Sequence, residues 1–164
     1  MTENQAKIKL IPGEIIPAFT LPGPDGIPHS PWDYKQRENL LLLFVPSLTN
    51  VQARAWISGF AKYYREFRDE RCAILALTPD PVVVNLEAQE ELSLPFPLLA
   101  DPQGRVIARF TRWDSASREL TPGIVLTDRY NALYQHGFAV EESERPSIDD
   151  VLASLRHINT LCTP

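Results

Sequence analysis

Two short runs along this chain carry no polar position at all. Leu40–Phe44 continues into Val45 and Pro46 without a break, and Cys72–Leu77 repeats the pattern before Thr78-Pro79-Asp80 ends it. A run of this length, apolar at every position, predicts a strand buried on both faces, as in a parallel sheet covered by helices. Between the runs, Trp56, Phe60, Tyr64 and Phe67 recur at spacings of four, four and three. That spacing keeps one helical face apolar and predicts a helix over residues 50–69. Strand, long helix and strand then make a right-handed crossover unit with the two strands adjacent and parallel.

The flanking pattern is more punctuated. Residues 1–12 form an N-terminal extension ahead of a domain over 13–164. Phe19–Leu21 and Ile27–His29 flank Pro24-Asp25-Gly26, which predicts a small hairpin. Ser30 before Pro31 is a helix start and predicts a short helix from Trp32 to Gln36. Residues 82–92 read as a helix with Glu87, Glu90 and Glu91 turned outward. Residues 95–102 read as an extended segment pinned by prolines, residues 104–112 as a helix, and residues 113–120 as a polar loop. Ile124–Thr127 and Ala132–Phe138 flank a turn at residues 128–131 and predict a second hairpin. A last helix runs to about Leu161, with Ile148, Val151, Leu152, Leu155 and Ile158 on its stripe. The sum is an α/β domain with a mixed central sheet, helices on both faces and an N-terminal β-hairpin.

Composition narrows the function classes. The chain has 164 residues and a formal net charge of −5, with no basic stripe, so nucleic acid is not an expected partner. No apolar run approaches the roughly 20 residues of a membrane helix. The first residues lack a basic patch followed by an apolar stretch, and the two cysteines, Cys72 and Cys162, lie far apart. Both features fit the cytoplasm. His29, His136 and His157 show no metal-ligand spacing, and no phosphate-cradling glycine loop is present, so no cofactor or metal is expected.

Three segments carry a family resemblance. Gly13–Leu21 with Asp25-Gly26, the Leu94–Gly104 stretch Leu-Pro-Phe-Pro-Leu-Leu-Ala-Asp-Pro-Gln-Gly, and Thr121–Asp128 resemble the peroxiredoxins of the alkyl hydroperoxide reductase/thiol-specific antioxidant family. The resemblance implies a thioredoxin-like fold. It places the active-site pocket at Pro46, Ser47, Thr49, Asn50, Gln52, Thr121 and Pro122. It also implies that Pro122 is cis and lies near Thr49.

The departures from that pattern bear on function. Counted from Thr49, the family's peroxidatic cysteine falls at Gln52; counted from Pro46, it falls at Ala53. Its activating arginine falls at Pro122. Aligned to Cys-x-x-Cys oxidoreductases, Thr49 and Gln52 take the cysteine positions. No alignment supplies a thiol, since residues 46–54 contain no cysteine. Peroxide reduction needs a thiolate, and a threonine hydroxyl without a base does not replace one. Thr49 is therefore read as the N-cap of the long helix, worth on the order of 1 kcal/mol. Gln52 and Arg54 are read as exposed helix residues, beside a helix N-terminus that still offers a weak anion site.

Cys72 is read as a core residue at the far end of its strand, and Cys162 as a terminal thiol. The expectation is a redox-inactive binding or scaffolding module. It would contact a protein or small molecule at the former active-site face, with Trp32, Tyr34 or Trp113 contributing and a homodimer compatible. The competing expectation is an atypical thiol peroxidase or disulfide reductase using Cys72 or Cys162.

Overall fold

The computed structural model describes residues 9–161. The elements run β1 (Leu21–Pro22), β2 (Pro28–His29), a 3-10 turn (Pro31–Tyr34), β3 (Asn39–Phe44), α1 (Val51–Lys62), α2 (Tyr64–Asp69) and β4 (Cys72–Thr78). Next come α3 (Val82–Leu92), β5 (Leu98–Ala100), α4 (Ile107–Phe110), β6 (Trp113–Asp114), β7 (Glu119–Leu120), β8 (Gly123–Thr127) and β9 (Leu133–Phe138). A second 3-10 turn (Glu142–Glu144) leads into α5 (Ile148–Leu161).

The central sheet has the order β5-β4-β3-β8-β9. β3 pairs with β4 in parallel, Leu40 opposite Ala73 and Phe44 opposite Leu77, as the two apolar runs predict. β4 and β5 are also parallel, while β8 is antiparallel to both β3 and β9. This mixed sheet with its helices is the expected thioredoxin-like architecture. Alternation along the strands divides the core in two. Leu41, Leu43, Cys72, Ile74, Ala76, Ile124 and Leu126 pack towards α1, α3 and α5. Leu40, Leu42, Phe44, Leu75, Leu77 and Val125 pack towards α4 and the N-terminal segment. Each fully buried leucine contributes roughly 1.5–3 kcal/mol, so the doubly apolar strands anchor both layers.

Several elements differ from the sequence reading. The long helix divides at Tyr63 into α1 and α2, yet Trp56, Phe60 and Phe67 stay buried on the same layer. The helix over residues 104–112 contracts to one turn, because Gly104 takes φ +68 and Asp101 caps the turn from outside it. Residues 113–120 are a hairpin rather than a loop, with Trp113 opposite Leu120. The short helix after Ser30 is a 3-10 turn, though Ser30 caps it as expected: its hydroxyl accepts the Trp32 N–H at 3.3 Å. Cys162 and residues 1–8 of the extension lie outside the described residues.

The Thr121–Pro122 bond is not cis. No peptide bond among the described residues is cis. The trans form is the lower-energy state of such a bond, and the local contacts are made in it. The Thr111 hydroxyl donates to the Thr121 carbonyl at 2.9 Å, and the Ala139 N–H donates to the Pro122 carbonyl at 2.9 Å.

Candidate functional site

The strand ends bring the candidate residues to one place. β3, β4 and β5 all deliver the chain to one edge of the sheet, where the turn of residues 45–50, the loop at Pro79–Pro81 and the loop at 101–106 meet. Val45 makes the last ladder bond, its N–H donating to the Leu77 carbonyl at 2.9 Å. Pro46 has no N–H to continue. The register that puts Phe44 opposite Gly123 brings Pro122 alongside Val45, so the Thr121–Pro122 pair sits at the same edge as the turn.

A carboxylate holds the turn. Asp80, only 7% exposed, accepts the Ser47 hydroxyl at 2.7 Å and the Leu48 N–H at 2.8 Å, one on each oxygen. Asp80 is fixed in turn: its own N–H donates to the Thr78 hydroxyl oxygen at 3.1 Å, and that hydroxyl donates to Asn85 Oδ1 at 2.7 Å. The turn is therefore tied to the end of β4 and to α3 through groups with little access to water. Both anchors are short and one is buried, so together they outweigh any single surface contact.

Asn50, not Thr49, is the N-cap. Asn50 Oδ1 accepts the N–H groups of Gln52 at 2.8 Å and Ala53 at 3.1 Å, from an extended backbone at φ −88. Thr49 lies one residue too early to reach them. Its hydroxyl sits 3.0 Å from the Ser47 hydroxyl instead, and its N–H donates to the same oxygen at 3.3 Å. Thr49, Asn50 and Gln52 are exposed, and Val51 is 78% exposed beside them. Arg54 is not free in solvent. It donates to the Leu48 carbonyl at 3.1 Å and pairs with Glu91 of α3 at 2.6 Å.

Two further groups at this edge escaped the sequence reading. Arg118, on the tip of the β6–β7 hairpin at φ +59, donates to the carbonyls of Pro79 and of Pro102, the latter at 3.1 Å. It ties the hairpin to the two loops that follow β4 and β5. Asp101 accepts the N–H groups of Val106 at 3.0 Å and Ile107 at 2.8 Å, which caps α4. Burial pushes the Asp101 carboxyl above the usual range, against the pull of those donors. An aspartate ahead of a helical stretch was the available signal for Asp101. The β6–β7 strands are too short to show alternation, so Arg118 left none.

Cys72 lies at the opposite end of the sheet. It is the first residue of a seven-residue strand whose last residue, Thr78, accepts the Asp80 N–H, which puts Cys72 about 20 Å from the turn. It is fully buried. Burial pushes its thiol well above the ordinary value, reinforced by Glu38 and opposed by Arg68 and the Leu41 N–H. Arg68, rather than Arg71, is the nearby cation, and it donates to the Cys72 carbonyl at 3.1 Å. Of the aromatic side chains considered for a contact face, only Trp32 is exposed, with Lys35 Nζ 4.0 Å from its ring centroid. Tyr34 and Trp113 pack against the core.

Among the described residues, no group of three His, Cys, Asp or Glu side chains could hold a metal ion. No described helix is long and apolar enough to cross a membrane.

The AhpC/TSA family pattern matches residues 12–136. Two Mycobacterium tuberculosis proteins named as peroxiredoxins, from strains H37Rv and CDC 1551, are each 30% identical over 105 residues. The match covers 64% of this chain and 64% of those proteins, so it spans less than two thirds of their length. Among solved structures, peroxidoxin BcpB from Mycobacterium tuberculosis superposes with a TM-score of 0.82 at 22% identity, covering 92% of this chain and 99% of that one. Xanthomonas campestris peroxiredoxin Q superposes with a TM-score of 0.73 at 17% identity, covering 85% of this chain and 90% of that one. At these identities the two structures speak for the fold.

Proposed function

The chain belongs to the AhpC/TSA family, and from that premise we propose that it is a peroxiredoxin-like protein whose active-site turn serves binding rather than thiol chemistry. The observation that carries this reading is the turn itself. Residues 46–54 contain no cysteine, and Ser47 and Leu48 are committed to Asp80. Peroxide reduction requires a thiolate sulfur to attack the peroxide O–O bond, leaving a sulfenic acid and releasing water or an alcohol. The Thr49 hydroxyl, the Gln52 amide and Pro122 offer neither that nucleophile nor a cation to stabilise it. Cys72 is buried, its thiol strongly disfavours ionisation, and about 20 Å separates it from the turn.

What remains at the edge is a fixed surface. Pro46, Ser47, Thr49, Asn50, Gln52, Thr121 and Pro122 frame it, and exposed Val51 adds an apolar point. A rigid frame of this kind suits recognition, because little conformational freedom is lost on contact. The partner is a protein or a small molecule, and a second copy of the chain is one form the protein partner can take. Two cysteines distant in sequence suit a reducing compartment, the cytoplasm.

The test is a peroxidase assay on the full chain, with hydrogen peroxide and with an organic hydroperoxide, using dithiothreitol or thioredoxin as reductant. The expected rate equals that of reductant alone. Turnover above it, abolished by Cys72→Ser or Cys162→Ser, would overturn the reading. Sedimentation of the wild type beside Val51→Arg then reports whether a second copy occupies the face.

A further inference from the structure

Three of the four most exposed large apolar side chains among the described residues stand at one edge of the sheet. Val51 is 78% exposed, Val140 71% and Val83 61%. Single exposed apolar residues are ordinary, but three at one edge make a patch. Val51 opens α1 directly after the turn. Val83 lies in the first turn of α3, just beyond Asp80, whose carboxylate accepts the Leu48 N–H. Val140 follows Ala139, whose N–H donates to the Pro122 carbonyl at 2.9 Å. The register sets Leu77, Phe44, Gly123 and Phe138 side by side at the ends of β4, β3, β8 and β9. At about 4.8 Å per strand the row from Val83 to Val140 spans about 15 Å, and Val51, after β3, stands between the other two.

The same face carries no charge of its own. Pro46–Ala53, Pro81–Leu86, Thr121–Gly123 and Phe138–Val140 contain no Asp, Glu, Lys or Arg, in a chain where these make up 23%. Asp80, beside them, is buried and bonded to Ser47 and Leu48, and Arg54 is paired with Glu91. Charge therefore selects the occupant by its absence. The chain carries a net charge of −5, so two copies repel wherever that excess is exposed, and a neutral face is where they can meet. Such a face offers nothing to select a charged partner, whereas it is complementary to itself. Depletion of charge around an apolar centre is also the compositional mark of an interface core. A standard interface buries roughly 800 Å² per partner, and a row of about 15 Å supplies the centre of one. Thr49, Asn50 and Gln52, all exposed, supply polar groups around it.

Resting on the reading of this edge as a binding face, we propose that its occupant is a second copy of the chain, docked edge to edge about a two-fold axis at Val51. In such an isologous contact the middle of the row meets itself, Val51 of one copy against Val51 of the other. Salt strengthens the contact, because it screens the repulsion between two chains of −5 and breaks no ion pair at the centre.

Sedimentation equilibrium of the full chain tests this. The weight-average mass of the wild type is expected to rise with concentration from 18.5 kDa towards twice that value, and to rise further at high salt. Val51→Glu and Val51→Lys are each expected to stay at 18.5 kDa, while their equimolar mixture associates, since opposite charges then meet at the axis. Val83→Glu and Val140→Glu are each expected to weaken association about tenfold. Leu161→Glu is the control: it is 65% exposed but near the start of β3, where Asn159 meets Asn39, and is expected to change nothing. All four positions are exposed, so the circular dichroism spectra should match that of the wild type. A wild type or a mixture that stays monomeric, association that salt weakens, or an equal effect of Leu161→Glu would overturn the proposal. A monomer without peroxidase turnover removes the second copy alone; turnover above the reductant rate removes the binding reading.

Discussion

Removing the Asp80 carboxylate is the most direct way to ask what holds the turn. Asp80→Ala takes away two acceptors at once. The Leu48 N–H, buried and 2.8 Å from Asp80 Oδ2, then has no replacement, and a hydrogen bond from such a group to a charged acceptor is worth about 1.5–3 kcal/mol. The Ser47 hydroxyl loses a 2.7 Å bond but can turn to Thr49, 3.0 Å away, so its loss is nearer 1 kcal/mol. The expected destabilisation is about 3 kcal/mol. In urea, at an m-value of about 2 kcal/mol/M, this lowers the midpoint by about 1.5 M with m unchanged. Asp80→Asn keeps an acceptor for Leu48 and can donate to Ser47, so about 1 kcal/mol is expected. A double-mutant cycle with Ser47→Ala should return a coupling of about 1–2 kcal/mol, because the two side chains touch. A midpoint shift below about 0.3 M for Asp80→Ala, or additive single effects, would refute the idea that this carboxylate holds the turn.

Asn50→Ala should cost about 1 kcal/mol in the same urea assay, and Thr49→Ala less than about 0.5 kcal/mol; the reverse order would return the cap to Thr49. Native Cys72 should resist iodoacetamide, with modification read by mass spectrometry and limited by opening of the fold; fast native labelling would contradict its burial. The same thiol carries a pH signature. Its folded pKa lies above the 9.0 of an unburied thiol, so above that value the unfolded chain releases its proton first. This contribution is fully present below about pH 9 and falls by up to about 1.4 kcal/mol per pH unit above it. The stability gap between wild type and Cys72→Ala should therefore narrow between about pH 8 and pH 10. Gly104→Ala should cost about 3 kcal/mol by thermal or urea unfolding: φ is +68, and an added Cβ would lie 2.0 Å from the Trp113 indole. A loss under about 1 kcal/mol would mean that the indole moves aside freely.

What the sequence displayed was whatever repeats along one element. Leu40–Phe44 and Cys72–Leu77 are apolar on both faces, and that alone fixed two adjacent parallel strands between layers. The stripe through Trp56, Phe60, Tyr64 and Phe67 survived a break at Tyr63 because α2 carries on the same face after one reoriented residue, with φ −101 and ψ 16. Periodicity therefore reported the layer and not the break. Adjacent capping residues defeat the same method: Thr49 and Asn50 are both good N-caps, and only the first helical residue, Val51, decides between them. The β6–β7 hairpin has strands of two residues each, too short for alternation to register. The cis reading of Pro122 came from the family resemblance and from the strand that starts right after it; the bonds around Thr121 and Pro122 that accompany the trans state involve Thr111 and Ala139, outside the Thr121–Asp128 segment.

The turn after β3 was legible in the sequence and the contacts that hold it were not, and the reason is sequence distance. Ser47 and Asp80 stand 33 residues apart, and Arg118 meets Pro79 across 39. Local patterns do not encode such pairings; they follow from strand order, which brings the ends of β3, β4 and β5 to one edge. The same distance separates the turn's stability from its chemistry. Asp80, Thr78, Arg54 and Arg118 hold the edge through backbone and hydroxyl contacts that make no use of a thiol. A chain that retains them keeps the turn in place whatever residue stands at position 49 or 52. The residue types exposed on the turn, Thr49, Gln52 and Val51, are what determine whether the shape catalyses or binds.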